Sequence, residues 1–430
     1  MSLAAAIMFA LFIAACAIGV PIGFSMIVAG LVYLLLIGGD IGLVAAQGIN
    51  GLFSSFILLA VPLFIFAAEV MTASNISDRL LKFVMMVIGR LRGGLAYVNI
   101  AVSIIFAGMS GSALADAAGP GKLMIDMMTK NGRYPRGFAG ALTAASATIG
   151  PIIPPSIPMV IYGAISGTSI GALFLAGVVP GLLMGLALCI QVFIVARRRG
   201  FPVEDPVPFT AVRRTTLRAA PALMLPVILL GGIYSGAVTP TEAAAVAAAY
   251  AMLLAFIYRE MNLRSLYQSL LGSARATAIV AITVVGALFI NYVVASEQIP
   301  YALGNWITSL GLSPVAFLLL VSVLFLVLGA VLDTLLMLLI MVPILMPSVH
   351  ALGVDPVHFG VVVVVDMMIG LITPPYGELL FLISGVSRIP LAELIRESWA
   401  FILTLVIALL AIVLLPDLVL FIPRSAGYGG

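Results

Sequence analysis

Charge is what this sequence has least of. Asp, Glu, Lys and Arg make up 9% of its 430 residues, against 63% hydrophobic. Soluble domains carry about 25% charged residues. A soluble chain of this size could not cover its surface with so few, so composition excludes a soluble globular protein. The net charge of +3 is too small to draw nucleic acid, and the basic residues lie in short loops. Cysteine is nearly absent. Cys16 and Cys189 lie far apart in apolar runs and imply neither a disulfide framework nor a metal site. The two histidines, His350 and His358, fall in or beside an outer loop without a metal-ligand pattern. No GxxxxGK[ST] phosphate loop occurs, which fits a process not driven directly by ATP. There is no arginine ladder of a voltage sensor and no filter-like ring motif. The alternating segments of a membrane barrel are also missing, because the apolar runs are too long.

What is there instead is long apolar runs punctuated by 42 glycines and 25 prolines. This is the composition of an all-α polytopic membrane protein with broken segments. Residues 3–18 are apolar with no basic segment before them, and are read as a first span, not a cleaved signal. Further spans are expected at 22–37, 51–73, 170–195, 219–234, 240–257, 276–294 and 399–422. The stretch Asp78–Arg92 is amphipathic, with Arg79, Lys82, Arg90 and Arg92 as interfacial anchors. Two segments, 93–128 and 313–349, each divide into two apolar arms about a small polar tip. The tips are Gly108–Ser112 and Gly329–Thr334. Each segment is read as a re-entrant hairpin, whose irregular tip must be buried in protein.

Two proline pairs interrupt two other apolar stretches. Pro154 and Pro155 sit in 137–165, and Pro374 and Pro375 sit in 357–387. Proline removes a backbone donor and clashes with the preceding turn. In a membrane this is tolerated where the freed groups face protein or a polar cavity. Each pair therefore marks a broken helix, the kind of place where transporters hold ions or substrate.

The two halves superpose in sequence. Gly108 matches Gly329, Pro135 matches Pro356 and Phe138 matches Phe359, each at a shift of 221, and Pro154 matches Pro374 at 220. The Lys/Arg-rich loops at 78–92, 129–136, 197–218, 259–275 and 388–397 all fall on one side if the hairpins return to their own sides. That side is the cytoplasm, and both termini lie outside. The expectation is about ten crossing segments plus two hairpins in two inverted repeats, residues 1–196 and 219–430, joined by the charged cytoplasmic connection 197–218.

The candidate functional residues follow from this plan. Ser110 and Ser112 of the first tip offer hydroxyls that suit a small hard cation or an acid, with helix packing of small residues as the structural alternative. Asp333 of the second tip is a carboxylate at membrane depth, either ion-bound or a helix cap. Thr148, Gly150, Pro151 and Ser156 are expected to face tip one, and Thr373, Pro374 and Gly377 to face tip two. Ser110, Ser112, Ser156, Thr334, Thr373 and Glu378 are the candidates for touching substrate. Asp116 and Asp366 are further buried carboxylates of functional or structural use. Glu69 and Glu242 stand at apparent span ends and read equally as functional or as boundary residues. A channel or a stand-alone symporter of another inverted-repeat family remains an alternative at this point.

The stretches Gly108–Asp116, Gly150–Pro158 and Gly370–Gly377 resemble those of the large membrane subunit of TRAP transporters, the tripartite ATP-independent periplasmic transporters of bacteria and archaea. The resemblance covers essentially the whole chain. It implies sodium-coupled uptake of an organic acid, a C4-dicarboxylate, sialic acid or related carboxylate, across the inner membrane, with no enzymatic activity and no organic cofactor. It implies an elevator in which hairpins and broken helices move together. It places one sodium at Ser110, Gly111, Ser112, Gly150 and Pro151, and another at Gly329, Asp333, Thr334, Thr373 and Pro374. The implied partners are a small four-helix membrane subunit and an extracytoplasmic substrate-binding protein. No four-span region precedes this chain, so the small subunit is expected as a separate protein.

Overall fold

The computed structural model describes residues 2–54, 58–74, 76–203 and 209–428. Glu204 and Asp205 of the charged connection, with the side chains of Asp78, Arg213, Arg214 and Arg218, lie outside the described residues. The chain is helical throughout, and no strand ladder forms among the described residues. A single bridge pairs Arg92 with Val203. Among the described residues, five helices are long and apolar enough to cross a membrane: Ile170–Arg199, Pro240–Ile257, Leu263–Ser296, Thr334–Ala351 and Leu391–Leu414. Shorter apolar helices fill the remaining positions.

In chain order the first helices are α1 (Leu3–Ala17), α2 (Ile22–Ile37), α3 (Ile41–Ser54), α4 (Ala60–Ala73) and α5 (Ile76–Ile88). The first helical hairpin has α6 (Gly94–Ser110) as one arm and α7 (Ala113–Asp116), a π-turn over Ala117–Gly121 and α8 (Lys122–Thr129) as the other. Pro120 sits inside that π-turn, where its missing N–H leaves the wider turn in place of a regular one. The first broken helix is α9 (Arg136–Ala147) and α10 (Ile157–Ser166), followed by α11 (Ile170–Arg199). After α12 (Phe209–Tyr234), α13 (Pro240–Ile257), α14 (Leu263–Ser296) and α15 (Ile299–Ser309) comes the second hairpin, α16 (Pro314–Gly329) and α17 (Thr334–Ala351). The second broken helix is α18 (Pro356–Gly370) and α19 (Glu378–Ser387), and α20 (Leu391–Leu414) and α21 (Pro416–Ser425) close the chain. The starts of α6, α9, α10 and α11 recur at α16, α18, α19 and α20 with shifts of 220, 220, 221 and 221 residues.

Local chemistry sets these boundaries. Ser112, Ser156, Ser169, Ser313, Asp333 and Asp355 each accept a backbone N–H from the helix they precede. These are the residue types that satisfy the orphan amides of a helix start. Proline stands in the first turn of α10, α13, α16, α18 and α21, where its missing donor costs nothing. Both proline pairs, Pro154–Pro155 and Pro374–Pro375, are cis.

Several boundaries differ from the sequence expectation. The span expected at 51–73 is two helices, α3 and α4. The basic loop 259–275 is mostly the first turns of α14, which starts at a capping box of Asn262 and Ser265. The 296–311 loop holds α15, and the span expected at 399–422 is divided at Leu415, before Pro416. Apolar content alone does not mark these ends, whereas caps and prolines do. His358 lies in no loop. It is buried on α18, with its ring nitrogen 2.9 Å from the Ile412 carbonyl.

The helices pack in two groups. Helices α1, α2, α4, α13 and α14 pack on one another, while the hairpins and broken helices interlock with α11 and α20. Ties across the second group join the two halves of the chain. The Tyr162 hydroxyl donates to the Pro356 carbonyl at 2.6 Å, the Gly137 amide donates to Glu393 at 2.9 Å, and Phe138 meets Phe401 with ring centres 5.7 Å apart. Amphipathic α5 buries Leu80, Leu81, Val84 and Met86 against α6 and α12. Arg79 pairs with Glu260 and lies over the Tyr258 ring, whereas Lys82 and Arg92 stay exposed.

Candidate functional site

Each hairpin tip rests on the proline loop of its own half. Gly111 ends α6 in the left-handed region, at φ 60°. A Cβ added there would come 2.5 Å from the Pro155 carbonyl oxygen. Only glycine permits both that backbone and that approach. Gly150 faces the same tip, with the Ser112 oxygen 3.5 Å and the Ala113 nitrogen 3.6 Å from where its Cβ would stand. In the other half, a Cβ on Gly370 would lie 2.8 Å from the Gly329 carbonyl carbon. The Tyr376 amide donates to the Ala330 carbonyl at 3.1 Å. Tip one is buried in protein around Ser110 and Gly111, whereas tip two is partly open, with Val331 58% exposed.

The two tips open into one cavity of about 520 Å³. Ser110, Gly111, Ser112 and Pro151 line it from the first half, and Asp333, Thr334 and Glu378 from the second. Its opposite wall is α4 and α14, through Glu69, Thr72, Ala276 and Val280. A second cavity of about 550 Å³ lies between tip two and α1–α2, and Asp333, Leu371 and Glu378 line both. Tip two is thus the partition between the cavities.

The predicted residues divide accordingly. Gly329 lines only the second cavity. Gly150 packs behind tip one, outside the cavity lining. Ser156 is fully buried, accepts from the Met159 amide as the cap of α10, and donates to the Pro151 carbonyl. Thr148 and Thr373 bond back to the Ala145 and Ile369 carbonyls of their own helices. Pro374 belongs to the loop that supports tip two and lines neither cavity. Asp333 uses Oδ1 to cap α17 through the Leu335 and Leu336 amides, at 2.9 and 3.1 Å. Asp116 and Asp366 lie away from the cavity, buried near Ser103 and Ser322 respectively.

Glu69 is a residue that sequence reasoning left open between a functional and a boundary role. The apolar run ends soon after it, which reads as a span boundary, but α4 continues to Ala73 and turns Glu69 into the cavity. Glu242 is a boundary residue, reciprocally bonded to Thr239 in the capping box of α13.

The polar side chains that line the cavity at the tips all present oxygen: the hydroxyls of Ser110, Ser112 and Thr334 and the carboxylates of Asp333 and Glu378. Such ligands suit a hard monovalent cation and not a soft transition metal. An all-helical multi-pass chain whose two broken-helix units meet at one internal cavity is a secondary transporter in build. Comparison with known proteins specifies it. The chain belongs to the family described as the DctM component of tripartite ATP-independent periplasmic transporters, whose model matches residues 9–418. It is the large membrane subunit of such a transporter, a transport protein and not an enzyme.

Its relatives include the sialic acid TRAP transporter large permease SiaM of Vibrio cholerae, 41% identical over 413 residues and covering 96% of both chains. The C4-dicarboxylate permease DctM of Pseudomonas aeruginosa is 41% identical over 86% of this chain and 87% of its own. The 2,3-diketo-L-gulonate permease YiaN of Escherichia coli is 37% identical over 94% and 95%. Among solved structures, the YdaH transporter of Alcanivorax borkumensis shares the fold at a TM-score of 0.66 and 14% identity, over 89% of each chain.

Proposed function

We propose that this subunit carries an organic acid inward together with sodium, by an elevator movement of the hairpins and broken helices against the α1, α2, α4, α13 and α14 group. The observation that carries this reading is the single cavity shared by the two tips and walled on its far side by α4 and α14. Substrate held there touches both helix groups, so a displacement of one against the other changes which side the cavity faces.

Ser110, Gly111, Ser112, Gly150 and Pro151 are proposed to hold one sodium, and Gly329, Asp333, Thr334, Thr373 and Pro374 the other. The close backbone approach at Gly111 and at Gly370 supports both assignments, because carbonyl oxygens crowd each tip. Sodium is co-transported cargo here. Bound beside an acid, it lowers the cost of carrying a carboxylate through a low-dielectric interior. Ser110, Ser112, Thr334 and Glu378 are proposed to touch substrate, while Ser156 and Thr373 act by holding their loops in shape.

The halves are read as inverted repeats, 1–196 and 219–430. The loops assigned to the cytoplasm touch one another, which supports that topology. Gly93 donates to Pro202 at 2.9 Å, Arg199 pairs with Glu397 at 2.8 Å, Arg136 donates to Ser387 at 3.1 Å, and Arg79 meets Glu260. On the other side, the Ser2 amide donates to Glu297 at 2.6 Å. Both termini are read as periplasmic, in a chain of the inner membrane, and the Ser2 contact supports this for the N-terminus. The name of the family implies two further components, proposed as a small four-helix membrane subunit and an extracytoplasmic binding protein.

Sodium-dependent thermal stability tests the ion assignment. The purified membrane complex is expected to unfold at a higher temperature in sodium than in equimolar potassium. The same unfolding temperature in both salts would remove sodium from the tips.

A further inference from the structure

Pro343 interrupts the hydrogen bonding of the second hairpin without breaking its helix. Helix α17 runs on through it to Ala351. In a regular helix the Leu339 carbonyl accepts from the amide of residue 343, and proline has no amide hydrogen to give. Leu339 is buried, with Leu338 and Val342 beside it. Neither water nor lipid can serve a carbonyl in that setting, and leaving it unmet is costly.

The missing donor comes from the other helix group. The Asn291 side-chain amide of α14 donates to the Leu339 carbonyl at 3.1 Å. The oxygen of the same side chain has no partner, and Asn291 lines neither cavity. The bond also fits one register. Residues on the same face of a helix lie three, four and seven positions apart. Toward the start of α14 these are Leu288, Ala287 and Val284, and toward its end Val294 and Ala295. None of them carries a side-chain donor. A slide of α17 along α14 by one helical turn, about 5.4 Å, takes the Leu339 carbonyl away from Asn291 and offers it no replacement on that face.

We infer that Asn291 is a latch between the two helix groups. It holds the second hairpin in the observed arrangement by donating to the carbonyl that Pro343 leaves open. Asn291 is thus a positioning residue for transport: it sets the balance between the end states of the hairpin movement and touches neither ion nor acid. This inference rests on the elevator reading of the two groups.

Two substitutions release the latch by opposite routes. Asn291→Leu removes the donor and leaves the carbonyl open in both end states. Pro343→Ala supplies an amide at residue 343 and satisfies the carbonyl in both. Each removes the carbonyl's preference for the observed arrangement, while their effects on stability have opposite signs.

Spin labels read the balance. Ile37 at the end of α2 and His350 in the last turn of α17 are both exposed. Cysteines at these two positions are labelled in an otherwise cysteine-free membrane complex, and double electron–electron resonance in lipid nanodiscs measures the distance between them. Wild type is expected to hold the observed arrangement as its main population, with a second distance as its minor one. Each single variant is expected to raise the minor-to-major ratio by roughly fivefold or more, and the double variant to go no further. Asn291→Leu is expected to melt below wild type and Pro343→Ala not to. A ratio equal to wild type in Pro343→Ala would overturn the latch, even if Asn291→Leu unfolds, and a second distance in wild type would still uphold the elevator reading. One invariant distance in every variant, in sodium and in potassium, would overturn both.

Discussion

Gly111 and Pro155 hold the first hairpin tip against the first proline loop, with room for a hydrogen but not a methyl group between them. At φ 60° a side chain at residue 111 is strained even before it meets the Pro155 carbonyl, by about 1–2 kcal/mol. Gly111→Ala is therefore expected to lift the tip off its loop and cut transport by at least about tenfold, since a displaced site loses its preorganised contacts. Uptake normalised to folded complex in the bilayer checks this, and a rate equal to wild type would show that the tip tolerates displacement. Gly370→Ala, where the obstructing atoms are the Gly329 backbone, is expected to act in the same direction.

Asp333 has two tasks that substitution can separate. Asparagine caps a helix about as well as aspartate, whereas alanine loses about 0.5–2 kcal/mol. Asp333→Asn is expected to melt close to wild type yet need much more sodium for half-maximal uptake. Asp333→Ala is expected to show both defects. A sodium titration of uptake alongside a melting curve decides it. Unchanged sodium demand in the asparagine variant would leave Asp333 with a cap and nothing more.

Tyr162 offers a contrast, because it joins the halves without approaching the cavity. Its hydroxyl donates to the Pro356 carbonyl at 2.6 Å, and the side chain is fully buried. Tyr162→Phe removes the donor from a buried acceptor and is expected to cost about 1–3 kcal/mol of stability. Its sodium dependence is expected to match wild type. Denaturation in detergent reads the first quantity, and a shift in sodium demand instead would relocate Tyr162 into the ion machinery.

Glu297, beyond the end of α14, makes stability sensitive to acid. Hydrogen bonds from Ser2 hold its carboxyl below the usual carboxylate range. A group with a depressed folded pKa adds stability above its unfolded pKa and loses it as pH falls through the folded value. Glu297→Gln is expected to lower the melting temperature near neutrality and to match wild type in acid, which flattens the acid limb. An identical pH profile in wild type and variant would show that the Ser2 contact contributes nothing to it.

Much of this architecture was legible because lipid allows so few alternatives. Apolar runs had to be helices, and the two Pro-Pro interruptions had to be breaks. The constant shift from Pro154 to Pro374 and from Gly108 to Gly329 marked which breaks correspond, and the element starts at 94 and 314 keep it. Helix ends were less legible. The charge in 259–275 looked like a loop, although Asn262 and Ser265 cap a helix that carries it. At the site, residue type pointed to Ser110 and Asp333 but could not tell a lining residue from a supporting one. Ser156 and Thr373 carry suitable hydroxyls, yet both are committed to backbone carbonyls. Glu69 stayed undecided between cavity and boundary because its place depends on α4 packing against α14, a contact between residues some two hundred positions apart.

The central claim is that the shared cavity carries an acid coupled to sodium. It is tested most directly by uptake of a radiolabelled organic acid into proteoliposomes holding both membrane subunits, with the acid-loaded binding protein outside. An inward sodium gradient is expected to drive accumulation above the external concentration, and replacing sodium with potassium is expected to abolish it. Accumulation that persists without sodium would contradict the account.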